Sequence, residues 1–251
     1  MKLNIVPART GMTWVKLGIT TFFRQPLALA GLFFLYMAAI ILLAQIPFIG
    51  LVIGGMLVPG ATLGLMAAAA EAAKGKFPMP TVLLSAFRAG RARARAMLIL
   101  GAIYTAGSLV ATRLAILLVG SGDATVQATE FDGTALVALA LHTPLFLMFW
   151  HAPALVHWHG VAPVKSLFFS VIACFRNFGA LTIYGMLWLG IFLGAGIVFG
   201  LLGTLIGGAT MARAVMMPTA LLLAAMFSTS IYFSFRDSFV ADEPQPTGES
   251  P

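Results

Sequence analysis

The chain has 251 residues, of which 60% are hydrophobic and 9% charged, with a formal net charge of +7. Soluble domains carry about 25% charged residues, and so few charges cannot coat a core of this size, so a water-soluble globule is excluded. The basic excess then reads as cationic loops held on one side of a membrane, and nucleic acid is not expected as a partner.

The single cysteine, Cys174, excludes an intramolecular disulfide and a Cys-based zinc site. The first long apolar run starts near Leu27, too late and too long for the core of a secretory signal peptide. No charge occurs between Arg24 and Glu71, which leaves room for two spans of about 20 residues. A tight turn at Gln45-Ile46-Pro47-Phe48-Ile49-Gly50 would separate them. The predicted spans are 27–44, 51–70, 97–119, 135–155, 180–204 and 214–235. Residues 1–240 thus form a single all-α transmembrane domain, and the polar tail 241–251 is expected to be disordered.

Six spans place both termini on one side, and 13 of the 15 Lys and Arg residues fall on that side. The connection between the third and fourth spans carries Asp123, Glu130 and Asp132 and no cation. The positive-inside rule makes the termini cytoplasmic.

Phe-Arg recurs at Phe23-Arg24, Phe87-Arg88 and Phe175-Arg176, each time ahead of a membrane hairpin, and a fourth copy, Phe235-Arg236, closes the last span. The second helix of each hairpin holds a proline: Pro59, Pro144 and Pro218. The chain therefore reads as three hairpins, each preceded by a cytoplasmic interfacial amphipathic helix. In the first such helix Met12, Val15, Ile19, Phe22 and Phe23 form an apolar face, opposite Thr13, Lys16, Thr20 and Arg24. The second opens after Pro80, with Arg88, Arg91 and Arg95 on its polar side. The third, 165–177, has only a strip of small polar residues: Ser166, Ser170 and Asn177.

The densest chemistry lies in Phe149-Trp150-His151-Ala152-Pro153-Ala154-Leu155-Val156-His157-Trp158-His159-Gly160, with His142 upstream in the same span. The spacing argues against a ready-made metal site, because His157 and His159 point to opposite sides of a helix. An aromatic belt in which Trp150, Trp158 and the histidines anchor a helix end at headgroup level is the plainer reading. His142 is expected to be a neutral imidazole bonded to a nearby carbonyl. Arg113, the one formal charge inside a span, is expected to snorkel to the outer interface, with Asp123 or Glu130 as partners. Glycines spaced by four (Gly50/Gly54, Gly60/Gly64, Gly190/Gly194, Gly196/Gly200 and Gly203/Gly207) allow close helix packing, within the bundle or against a protein partner or second copy.

The N-terminal stretch Met1 to Pro26, the His/Trp block and the following Val164-Lys165-Ser166-Leu167-Phe168-Phe169-Ser170 resemble an uncharacterised family of proteobacterial inner-membrane proteins. That resemblance implies a location and carries no mechanism. The layout is more loosely similar to the membrane domain of bacterial glycerophosphodiester phosphodiesterases; their catalytic domain is absent, so no activity carries over.

No ATP-binding, zinc-protease or hydrolase motif is present, and neither an enzyme nor a cofactor is expected. The first functional reading is a non-enzymatic accessory or scaffold protein that engages anionic lipid through Lys16, Arg24, Arg88, Arg91, Arg93 and Arg95. A small-solute or metal-ion permease with a midplane site at His142 and Arg113 is the second. A histidine-dependent haem or redox protein using His142, His151, His157 and His159 is the third.

Overall fold

The computed structural model describes residues 2–47, 49–119 and 133–240. The acidic connection with Asp123, Glu130 and Asp132, the tail 241–251 and the turn residue Phe48 lie outside the described residues.

The described chain is all-helical apart from two terminal strands. Helix α1 (Thr10–Arg24) is followed by α2 (Pro26–Ala44) and α3 (Ile49–Ala73). A short 3-10 turn (Pro80–Leu84) leads into α4 (Ser85–Arg88), then α5 (Arg91–Val119) and α6 (Gly133–Phe149). Helices α7 (Ala152–His159), α8 (Pro163–Arg176) and α9 (Phe178–Ser238) complete the bundle. Strand β1 (Lys2–Leu3) pairs antiparallel with β2 (Phe239–Val240), so the first and last described segments meet.

Among the described residues, five helical stretches are long and apolar enough to cross a membrane, the last of them α9 at 61 residues. A straight helix of that length would run roughly 90 Å, about three times the hydrocarbon thickness. It does not run straight. Gly207 and Gly208 leave helical geometry, Gly208 with φ +67°, a backbone state that costs glycine nothing. Beyond the break the chain doubles back, bringing Gly203 against the Ala212 backbone.

Three of the four Phe-Arg copies end the short helices α1, α4 and α8, where a cation favours the negative end of the helix dipole. The periodicity misplaced several faces. In α1 the inward stripe is Gly11, Trp14, Val15, Gly18, Thr21 and Phe22, while Met12 and Phe23 point outward. Packing chose this face through its small residues. Gly11 lies against the Ala180 carbonyl in the first limb of α9, and Gly18 against Ser230 in the second. Helix α1 is thus wedged between the limbs of α9, where the amphipathic pattern alone placed it flat on the surface.

The second predicted interfacial helix is shorter than expected. It ends at Arg88, Gly90 takes a positive φ, and Arg91, Arg93 and Arg95 open the long helix α5. In α8 the polar strip faces inward: Ser166, Ser170 and Asn177 are buried, whereas Val164, Phe168 and Phe175 point out.

Candidate functional site

The predicted fourth apolar run is two helices. Pro153 cannot donate a backbone bond, and the chain turns at Trp150-His151 between α6 and α7. The carbonyl of Leu147 is taken instead by the Ser170 hydroxyl at 2.8 Å, with the Cys174 thiol 3.8 Å away. Ser170 Oγ also accepts the His151 backbone N–H at 3.0 Å. The buried strip of α8 therefore repairs the break in its neighbour. Burial pushes the Cys174 thiol up to about 12 against the opposing hydrogen bond of Ser170. A thiol so held stays protonated. Maleimide is expected to label Cys174 in denaturant and leave it unlabelled in the folded protein; rapid labelling of folded protein would contradict this packing.

The break also corrects the aromatic-belt reading for half of the block. Trp150 and His151 are buried, and Trp150 Nε1 donates to Ser234 Oγ at 3.0 Å. One turn earlier in the second limb of α9, Ser230 Oγ is 2.6 Å from the Tyr184 hydroxyl. Trp150, Tyr184, Trp188 and Phe227 form a cluster of edge-on rings around these hydroxyls. Trp158 is half-buried and stacks on Phe235, and the His159 ring also packs against Phe235.

The four histidines do not converge. His142 Nδ1 is 2.8 Å from the Ala138 carbonyl of its own helix, with Ser108 Oγ 3.4 Å from Nε2. It lines a cavity of about 220 Å³ together with Thr62, Tyr104, Phe146 and Trp150. Val58 and Tyr104 also border a second cavity of about 330 Å³ that includes Thr105 and Ser108. Tyr104, Thr105 and Ser108 share one side of α5, a polar patch that the search for histidines and charges passed over. His151 packs between Phe235 and Phe239. Among the described residues no group of three His, Cys, Asp or Glu side chains comes together to hold a metal. Arg113 points outward from α5, away from both cavities.

The cations assigned to lipid contact lie on α1, on α4 and at the start of α5. Lys16, Arg24, Arg88, Arg91, Arg93 and Arg95 are all exposed. Beside them a cleft of about 480 Å³ opens between α3, the Pro80–Leu84 turn, α4 and α7. Glu71, Thr81, Ser85, Arg88 and His157 line it. Of these residues, sequence reasoning had singled out only Arg88 and His157.

The terminal segments are held by a polar clamp. Asn177 Oδ1 accepts the Val6 N–H at 2.9 Å, and its Nδ2 donates to the Asn4 carbonyl and to Ser238 Oγ. Asp237 takes the Trp14 indole N–H on one oxygen and Arg236 on the other. The fourth Phe-Arg copy thus supplies the cation that holds this carboxylate in place.

A bundle of long apolar helices suits a membrane protein, and a comparison with known proteins bears on this. The chain is 37% identical to a Burkholderia thailandensis protein named "probable inner membrane protein", with 97% of this chain and 96% of that one aligned. The chain belongs to that family. No family model matches the sequence, and no solved structure resembles it. The relative agrees with the membrane reading made from composition and gives no activity, substrate or partner.

Proposed function

We propose that this is a six-span inner-membrane protein with cytoplasmic termini, acting as a non-enzymatic accessory or scaffold that engages anionic phospholipid through its termini face. The observation that carries the reading is the outward display of Lys16, Arg24, Arg88, Arg91, Arg93 and Arg95 on that face. Each cation near an anionic surface contributes about 1 kcal/mol of attraction. The six-span count is supported by the Gly207-Gly208 break, which divides α9 into two limbs of bilayer-spanning length. The exposed Phe23 and Phe175 stand next to Arg24 and Arg176, an apolar anchor paired with a phosphate-seeking cation at the helix end. The arginines that open α5 face the positive end of its dipole, and no acidic residue in the first turn offsets them. Lipid phosphates would supply the missing negative charge. Gly190, Gly194 and Gly196 have no heavy atom of another segment within 4 Å, leaving a smooth stripe for a partner helix or a second copy.

Replacing Arg88, Arg91, Arg93 and Arg95 together by Gln is expected to cut co-purifying phosphatidylglycerol and cardiolipin severalfold, read by native mass spectrometry from detergent. Equal retention in variant and wild type would reject the reading. The same spectra test a second reading, a small-solute permease, favoured by the adjoining cavities at His142 and Tyr104. A bound small molecule lost in His142→Ala would support it.

A further inference from the structure

The cleft on the termini face is more selective than a basic rim. It holds two buried polar atoms with no hydrogen-bond partner, Ser85 Oγ and His157 Nδ1. A buried polar group left unpaired costs about 1–3 kcal/mol, so two bordering one cleft call for an explanation. The cleft also carries opposite charges, Glu71 from α3 and Arg88 from α4, and no ion pair joins them among the described residues. Arg93 lies close enough to His157 for its charge to be felt there, so the positive potential concentrates on the Arg88–His157 side. Thr81 adds a hydroxyl.

A free carboxylate facing a guanidinium, an imidazole and two hydroxyls is the mould of a zwitterion. A plain anion would be repelled by Glu71 and a plain cation by Arg88. A phosphate ester with an ammonium a few bonds away satisfies both. The segment that lines the cleft also borders, through Leu83, Leu84 and Phe87, an apolar groove of about 180 Å³ formed with Leu35, Leu43 and Leu57 of α2 and α3. Apolar and polar recesses flanking one short segment at a helix-bundle end suit a lipid better than a water-soluble ester.

We propose that this cleft binds the headgroup of a phosphatidylethanolamine molecule, with Arg88, Ser85 and His157 on the phosphate and Glu71 on the ammonium. The inference rests on the reading of the termini face as the lipid-engaging one, and adds a single stoichiometric site to it. His157 takes part as the tautomer carrying its proton on Nδ1, which donates to a phosphate oxygen once a turn of the ring brings this enclosed nitrogen to the cleft wall. A choline headgroup, whose ammonium has no N–H to donate, is excluded from the Glu71 bond.

The test is native mass spectrometry of the full chain against equimolar phosphatidylethanolamine, phosphatidylcholine and phosphatidylglycerol. Wild type is expected to retain one phosphatidylethanolamine per chain after the others are stripped. Glu71→Gln is expected to lose at least about tenfold of the ethanolamine-over-choline preference, since a hydrogen bond to a charged group is worth about 1.5–3 kcal/mol. Ser85→Ala combined with His157→Gln is expected to weaken retention of the same lipid while leaving the phosphatidylglycerol count unchanged. Protection of Cys174 from maleimide verifies that each variant is folded. Equal retention of ethanolamine and choline lipids by wild type would overturn the proposal. So would displacement of the lipid by free O-phosphoethanolamine at comparable concentration, which would make the ligand a soluble ester. Because Arg88 serves both the rim and the cleft, a variant with Arg91, Arg93 and Arg95 replaced by Gln and Arg88 kept reads the rim from the anionic-lipid peaks, while failure of the cleft is read from the phosphatidylethanolamine peak.

Discussion

Gly18→Leu is expected to expel α1 from between the two limbs of α9. A Cβ at this position would overlap the Ser230 side chain and stand 2.7 Å from the Ser230 Cα, which is backbone and has no rotamer to escape to. Overpacking of this kind costs about 1–3 kcal/mol even when neighbours can shift, and here they cannot. The smaller change Gly18→Ala should fall in that range, and leucine should exceed it. Trypsin in detergent reads the outcome, because Lys16 and Arg24 become cleavable once the helix is released. Thr13→Leu, on the exposed side of the same helix, serves as the control and should leave the digest unchanged. If the leucine variant at position 18 is cut no faster than wild type, α1 is not wedged as described.

The second large effect is expected at Asn177. Its amide closes three hydrogen bonds to segments far away in sequence, namely Val6, Asn4 and Ser238. Asn177→Ala leaves the half-buried Val6 N–H without its partner, while water can reach the exposed Asn4, a loss of about 1–2 kcal/mol. The melting temperature should fall by several degrees, with α1 again exposed to trypsin. A double-mutant cycle with Ser238→Ala isolates the clamp, because the two residues share a bond and their effects should not add. Additivity within about 0.5 kcal/mol would show that the bond does not contribute.

The parts of this fold legible in the sequence were those set by bulk hydrophobicity and chain breakers. The charge-free interval after Arg24, the turn at Pro47 and the division between the spans 180–204 and 214–235 needed no knowledge of neighbours. Phe-Arg marked the ends of α1, α4 and α8 because a cation at a helix C-terminus is favourable on its own. What failed was the assignment of faces. In a membrane protein both the buried and the lipid-facing sides are apolar, so periodicity cannot tell Trp14 from Met12. Small residues decide the matter, and Gly11 and Gly18 held that information. Ser166, Ser170 and Asn177 looked like a polar outer strip, yet all three are buried, and Ser170 and Asn177 pair backbone groups left open by a helix break and by the N-terminal segment. The cleft was half visible: Arg88 and His157 drew notice as charge and chemistry, while Glu71, Thr81 and Ser85 are brought to them only by the Pro80–Leu84 turn.

The pairing of Lys2 with Val240 and the Trp14–Asp237 bond also impose an order on biogenesis. Helix α1 leaves the ribosome before α9, yet its binding groove needs both limbs of α9. At about 5–20 residues per second, the roughly 200 residues between them take some 10–40 seconds to synthesise. Throughout that interval Trp14 lacks its α9 partners Tyr184 and Asp237, and the face of α1 that packs on α9 must be sheltered by lipid or by the insertion machinery. Pairing of the two strands is then a late locking step, made only after both limbs of α9 have been synthesised.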